Sequence, residues 1–249
     1  MNTQFFGHNL IKLKTVDSTN KYAIELIPKI DPIEGAVVWA MEQAAGLGRN
    51  NSLWESEGGK NLTFSIILYP DFINVEQQFY ISKAVSLGVL DYIKSFSDNV
   101  TIKWPNDIYV KNKKISGILI ENSIKGKKIT NCVVGIGLNV NQTIFKSDAP
   151  NPTSLKLILK NDIDLNESIE ELCGNVESRY IQLQMGKFEQ LDKDYLENLY
   201  RFNKYHLFEN NSNKFYAKII DILPSGNIVL VDKNKIQLKF NIDEIDFII

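Results

Sequence analysis

The chain has 249 residues, 44% of them hydrophobic and 23% charged, with 28 basic side chains against 30 acidic ones and a formal net charge of −2. That length and composition fit one large domain, or one domain with a small module, and exclude a wholly disordered, collagen-like or disulfide-scaffold chain. The charge balance argues against a dedicated nucleic-acid binder, while two cysteines without CxxC spacing and two histidines without ligand-like neighbours offer neither a zinc motif nor a Ser-His-Asp triad.

Residues 9–14 alternate as a short strand, and Ser18 or Thr19 is placed to cap a helix over 20–28 that Pro28 should stop. Residues 35–42 read as a buried strand, 43–60 as an aperiodic Gly- and Asn-rich stretch, 61–69 as a strand ended by Pro70, and 76–96 as a helix. Strand-like runs follow at 100–104, 107–110, 115–123 and 129–140, with hairpin turns at Lys111–Lys114 and Lys125–Lys128. A polar loop over 141–153 leads to helical spacing at 165–184 and 188–200. Runs at 214–222, 227–232, 235–240 and 245–249 form a meander of the size of an SH3-like barrel.

Strands and helices do not alternate as β-α-β-α. The expected fold class is therefore α+β, with a mixed, largely antiparallel sheet packed with helices plus a small C-terminal SH3-like β-barrel. The change of character near 200–207 divides the chain into a domain over 1–200 and a small one over 201–249. No apolar run approaches the roughly 18 residues of a membrane span, and the N-terminal residues lack the order of a secretory leader. A cytoplasmic protein without membrane attachment is expected.

Of the 28 basic residues, 25 are lysine and only Arg49, Arg179 and Arg201 are arginine, which makes an arginine in an unusual place more informative than a lysine. Residues 103–128 carry seven lysines against Asp107 and Glu121, a local surplus that suits a small anionic ligand.

Five segments can carry chemistry. In Gln43-Ala-Ala-Gly46-Leu47-Gly48-Arg49…Trp54, close glycines let backbone N–H groups turn toward an anion and Arg49 adds charge-assisted donors; a flexible surface loop is the alternative. In Lys103-Trp104-Pro105-Asn106-Asp107, Lys103 and Asp107 can approach one ligand, or Trp104 simply packs under a turn. Lys114, at the mouth of the apolar strand Ile115-Ser116-Gly117-Ile118, can meet a phosphate or carboxylate as a point charge, or belong to a solvated hairpin tip. Glycine in Gly135-Ile136-Gly137-Leu138-Asn139 marks either close approach of another group or a bulge. Asp17-Ser18-Thr19-Asn20 reads as a site segment or a helix cap.

In order and spacing over residues 13–140, these five blocks together resemble the biotin–protein ligase family, also called biotin-[acetyl-CoA-carboxylase] ligases. Lys103-Trp-Pro-Asn-Asp107 followed by Lys114-Ile-Ser-Gly117-Ile-Leu-Ile-Glu121 is the most specific part. The resemblance implies an ATP-dependent enzyme that makes biotinyl-5′-AMP from biotin and ATP with Mg²⁺, then passes biotin to one lysine of a biotin carboxyl carrier protein. It implies that Ser18, Thr19, Asn20 and Gln43 line the head-group end of biotin, with Gly46, Leu47, Gly48 and Gly117 in the same site. By the same resemblance, Arg49 and Lys114 contact the biotin carboxylate and α-phosphate, Lys103 and Asn106 lie near the phosphates, and Trp54 and Asn139 near the nucleotide. Arg49, Lys103 and Lys114 are the implied catalytic residues; the Mg²⁺ ligands are not assigned.

The chain departs from many relatives in carrying Leu47 where they have a basic residue and Asn51 where they have glycine, and nothing basic follows Lys239 in the small domain. The family's bifunctional members add an N-terminal winged-helix domain. Here the first strand begins about ten residues in, so the expectation is a monofunctional ligase that does not bind DNA; a homodimer is left open. The competing readings are a lipoate- or octanoate-type carrier-protein ligase and a non-catalytic biotin-binding module. The Arg-Arg…Gly-Gly-Gly…His pattern of the first is missing, and the three cations are more than the second requires.

Overall fold

The strand runs assemble into two separate sheets in a computed structural model that describes residues 3–147 and 151–248. The first sheet contains β1 (Leu10–Val16), β2 (Val37–Gln43), β3 (Leu62–Leu68), β4 (Val100–Lys103), β5 (Asp107–Val110), β6 (Lys113–Lys125) and β7 (Lys128–Leu138) in the order β1-β2-β3-β7-β6-β5-β4. Only β1 and β2 run parallel; every other neighbouring pair is antiparallel. Both lysine-bearing turns are hairpins, closing at Val110↔Lys113 and Lys125↔Lys128.

Strand β3 is buried at every position, because helices cover both faces of the sheet. On one face Phe64, Ile66 and Leu68 join the large core with α2 (Phe79–Lys94) and α4 (Leu165–Gln184). On the other, Val38, Ile67 and Val133 pack with Ala23 of α1 (Thr19–Ile30). The small cluster beneath α1 does not cover that whole face. Toward one end the sheet carries Thr63 and Ser65 on β3, Gly135 and Gly137 on β7, and Gly117 on β6, in matched register.

Helix α1 runs through Pro28 to Ile30 and ends at Asp31, whose left-handed backbone (φ 46°) lets its N–H reach the Ile27 carbonyl. Pro28 fails to stop it because, in the last turn, its missing N–H costs a single ladder bond. Helix α2 starts later than expected because Val75–Gln77 form a 3₁₀ turn. The short helix α3 (Leu155–Leu159), capped by Ser154, has too few residues for a periodic signal. Helices α4 and α5 (Phe188–Glu197) follow the expected spans closely.

The second sheet comprises β8 (His206–Asn210), β9 (Asn213–Ile222), β10 (Ile228–Asp232), β11 (Gln237–Phe240) and β12 (Asp246–Phe247), ordered β11-β10-β9-β8-β12 and antiparallel throughout. Strand β8 gives only weak alternation and escapes the sequence reading. Ile249 at the end of the last expected strand, and 148–150 of the polar loop, lie outside the described residues.

This sheet is tied to the first part of the chain by buried polar contacts. Trp104 Nε1 donates to Gly226 O at 3.0 Å. Lys83, only 1% exposed, donates to Ile222 O at 2.8 Å and pairs with Asp192 at 2.5 Å. Cys132 and Cys173 are buried free thiols. No described helix is long and apolar enough to cross a membrane.

Candidate active site

The polar end of the α1-covered face opens into a cavity of about 150 Å³. Its floor is glycine. Gly117 and Gly137 are cross-strand partners on β6 and β7, and Gly135 lies opposite Ser65 on β3. A β-carbon at Gly137 would sit 2.3 Å from Cε2 of Trp54, one at Gly117 2.9 Å from its Cζ3, and one at Gly135 2.3 Å from Asn20 Oδ1. The register runs unbroken through these positions, so the glycines mark close approach rather than a bulge.

The N-terminal end of α1 builds one wall. Ser18 caps the helix by accepting from Lys21 N and also lines the cavity. The Gln43 side-chain oxygen accepts from Thr19 N at 2.7 Å and from Thr19 Oγ1 at 3.0 Å. Ser65 Oγ lies 2.8 Å from Thr19 Oγ1 and 2.6 Å from Asn20 Oδ1. With one hydroxyl proton it donates to Asn20, whose oxygen can only accept. Asn20 Nδ2 in turn donates to Leu119 O at 3.2 Å and Glu121 Oε2 at 2.7 Å. The network fixes every polar atom of the Asn20 carboxamide.

The stretch after β2 forms the opposite wall. It is a small folded hairpin: Trp54 N donates to Gly46 O, Gly48 N to Ser52 O, and Leu47 bridges Leu53. A one-turn 3₁₀ helix, Arg49–Asn51, makes its bend, with Asn50 in a left-handed conformation (φ 52°). A β-carbon on Gly46 would meet Trp54 O at 2.8 Å and one on Gly48 would meet Ser52 Oγ at 2.6 Å. Gly46 is thus required by the packing of the loop on itself, since it meets backbone, whereas at Gly48 a turn of the Ser52 side chain would make room.

Two cations face the cavity, each beside an aspartate. Lys114 Nζ pairs with Asp107 at 2.7 Å and lies 5.6 Å from the ring centroid of Trp54. Arg49 Nη2 pairs with Asp243 from the turn after β11. Asn106 is held by reciprocal bonds with Ile118, its Nδ2 donating to Ile118 O and its own O accepting from Ile118 N, both at 2.9 Å.

Lys103 does not line this cavity. It lines an adjoining one with Arg49, Asn106, Asp107, Asp243 and Asp246. Its ammonium sits 5.0 Å from the Phe247 ring centroid and 5.7 Å from that of Tyr109. Burial pushes its pKa below the ordinary lysine value; Lys114 and Arg201 add to the shift, while Asp107 and Asp246 oppose it. Trp104, 1% exposed and joined to Pro105 by a cis peptide, is the structural member of its motif.

Asn139 is also set back. Buried at 3% exposure, it donates through Nδ2 to Thr153 O at 3.0 Å, leaving its Oδ1 without a partner. Of the residues singled out in the sequence, Ser18, Thr19, Asn20, Gln43, Leu47, Gly48, Arg49, Trp54, Asn106, Lys114 and Gly117 line the main cavity; Gly46, Lys103 and Asn139 stand behind or beside it. Two residues were missed. Ser65 is signalled only as a hydroxyl within an apolar strand, and Asp243 has no local signal, because its partner is 194 residues away.

The model of the Biotin/lipoate A/B protein ligase family matches residues 13–139. The bifunctional ligase/repressor BirA of Bacillus subtilis is 34% identical over 186 residues, which cover 72% of this chain and 56% of BirA. The biotin-[acetyl-CoA-carboxylase] ligase of Paracoccus denitrificans is 32% identical over 130 residues, covering 51% of this chain and 53% of that one. The chain thus spans about half the length of these curated relatives. In fold it is similar to the biotin protein ligase of Aquifex aeolicus in complex with biotin and ATP, with a TM-score of 0.79 at 24% identity, covering 96% of this chain and 98% of that one.

Proposed function

The chain belongs to the biotin/lipoate A/B protein ligase family, and from that premise we propose that it is a biotin–protein ligase. It activates biotin with ATP to biotinyl-5′-AMP and transfers biotin to a lysine of a biotin carboxyl carrier protein. The observation that carries this reading is the convergence of Arg49 and Lys114 on one cavity floored by paired glycines, with the polar end of α1 opposite them. The catalytic unit is read as residues 1–200 and the small domain as 201–249.

In the first step a carboxylate oxygen of biotin attacks the α-phosphorus, the bond to the β-phosphate oxygen breaks, and pyrophosphate leaves. Two anions must be held together while charge spreads over the phosphoryl oxygens. Fixed Arg49 and Lys114 donors offset that charge, and positioning supplies much of the remaining acceleration. Thr19, Asn20 and Gln43 form the polar end suited to the biotin head group. Trp54, which lines the cavity, is assigned to the nucleotide side, and Asn139, set back behind it, supports that wall through its bond to Thr153 O. Lys103, in the adjoining cavity, fits the departing phosphates. In the second step the neutral amine of the carrier lysine attacks the acyl carbon and AMP leaves; no residue of this chain forms a covalent bond.

No group of three or more metal-ligating side chains occurs among the described residues. Mg²⁺ enters this reading with the phosphates of ATP, as part of the substrate, and no side chain of this chain is assigned as its ligand. The test is direct: purified protein with ATP, Mg²⁺ and biotin should release pyrophosphate and label a carrier domain bearing the acceptor lysine. Absence of both would end this reading.

A further inference from the structure

The Asp243 carboxylate makes no hydrogen bond within its own turn. That turn is held without it: Asn241 N and Nδ2 donate to the Glu244 carboxylate at 2.7 and 2.8 Å, and Glu244 N donates to Asn241 O at 3.2 Å. Asp243 instead reaches across to the loop on the far side of the cavity mouth. One oxygen accepts from Arg49 Nη2 and, at 3.0 Å, from Asn50 Nδ2. The left-handed backbone of Asn50 is what lets consecutive side chains share one carboxylate.

Arg49 is also where the cavities meet. It lines the main cavity, a second one with Ser82, Ser86 and Asn122, and the third one with Lys103 and Asp243. The side chain that the three cavities share is thus held by a residue of the turn between β11 and β12.

We propose that Asp243 is a positioning residue, a clasp by which the C-terminal domain holds the 46–54 loop and its Arg49 over the cavity. The pair is weak enough to open in every cycle, since Arg49 is 27% and Asp243 62% exposed, and exposed ion pairs contribute little. Asp243 occupies one of the five guanidinium donors, leaving the others for a ligand anion. No basic residue stands between Lys239 and Ile249, and on this reading the small domain acts on the site by aiming a cation of the loop. The clasp itself stands on geometry; its catalytic consequence rests on the ligase reading.

The test uses the full chain and an arginine-specific protease. Only Arg49, Arg179 and Arg201 offer cleavage sites, so the other two report any global loosening. Asp243→Ala should speed cleavage after Arg49 by about two- to fivefold, with Arg179 and Arg201 cut as in wild type. Raising salt from about 0.05 to 0.5 M should speed cleavage after Arg49 in wild type and not in the variant, because only an ion pair is screened. Asp243→Glu should restore both the slower cleavage and its salt dependence. In the labelling reaction, Asp243→Ala should release biotinyl-5′-AMP faster by a similar factor and slow the pyrophosphate burst by no more than that factor, because Arg49 is still present but less well aimed. Equal cleavage after Arg49 in wild type and Asp243→Ala, or a salt response that survives the substitution, overturns the clasp. A wild-type protein that makes no adenylate overturns the ligase reading, and the protease ratio still decides the clasp.

Discussion

Trp54 lies flat against the backbone of Gly137, so close that a β-carbon there would come within 2.3 Å of Cε2 and 2.7 Å of Nε1. The two residues are far apart in sequence and come from different segments of the family pattern, a loop and the end of β7. Their contact joins the loop to the floor. Gly137→Ala should lift the indole, at an overpacking cost toward the lower end of about 1–3 kcal/mol because Trp54 is half-buried and can move. Removing the ring as well, in Gly137→Ala/Trp54→Ala, should recover part of that loss. Chemical denaturation of the two single variants and the double variant measures the coupling; strictly additive effects would show that the ring does not need the glycine.

Lys114 and Asp107 are 23% and 14% exposed, so their 2.7 Å pair is partly shielded from water. Lys114→Ala should slow pyrophosphate release by roughly two to three orders of magnitude, the range seen when a fixed donor to a developing oxyanion is removed. The stability loss should be smaller, about 1–3 kcal/mol, from stranding the Asp107 carboxylate. Comparing single-turnover rates with unfolding midpoints separates the two effects.

Lys103 gives a pH signature. Its pKa is lowered in the folded protein, mainly by burial. Below that folded value the lysine is charged in both states, and the fold carries the full penalty of burying it. As pH rises through the folded value toward the ordinary 10.5, the folded protein loses the proton that the unfolded chain retains, and stability from this group increases. Lys103→Met should therefore unfold at a higher temperature than wild type near pH 7, with the gap closing in the alkaline range. The same variant should bind ATP more weakly, because it lacks the cation beside the phosphates. A thermal-unfolding series across pH, paired with ATP titrations at pH 7, checks both signs.

Ser65 donates to Asn20 beneath the polar end of the cavity, at 2.6 Å. Ser65→Ala leaves the Asn20 oxygen without its buried donor, which should cost about 1–3 kcal/mol and weaken biotin binding by roughly tenfold. Calorimetric titration with biotin provides the measurement. Unchanged affinity in a folded Ser65→Ala protein would remove Ser65 from the site.

Lys83 tests the union of the two sheets. At 1% exposure its ammonium bridges Asp192 and the Ile222 carbonyl of β9. Lys83→Ala leaves the Ile222 carbonyl without its donor and a void where the buried side chain lay, while Asp192, 36% exposed, keeps its bond from the Tyr80 hydroxyl; the loss should be about 1–3 kcal/mol, and Lys83→Met, which keeps the buried volume, should cost less. Denaturant unfolding of the two variants gives the comparison.

Much of this protein was legible in its sequence, because the signals involved are local. Strand alternation, the lysine-bearing hairpin turns and the long helices follow from side-chain period and turn chemistry, and the sheet formed as a mixed, largely antiparallel one. The cavity-lining segments stood out through glycine, arginine and Lys103-Trp-Pro-Asn-Asp107. The short α3 did not, since five residues are too few for a helical period, and neither did β8, whose alternation is weak.

Tertiary structure alone decided what each singled-out residue does. The glycines of β7 looked equally like bulges until the register brought Trp54 and Asn20 onto them. Trp104 and Lys103 are adjacent in sequence, yet one packs beneath the small domain and the other faces a cavity. Ser65 looked like any hydroxyl in an apolar strand, and Asp243 like any acid in a turn. Their partners come from other elements, and only chain folding brings such groups within hydrogen-bond range. Composition and period thus determined which elements form and which segments line the cavity; pairing across the fold determined which atoms meet.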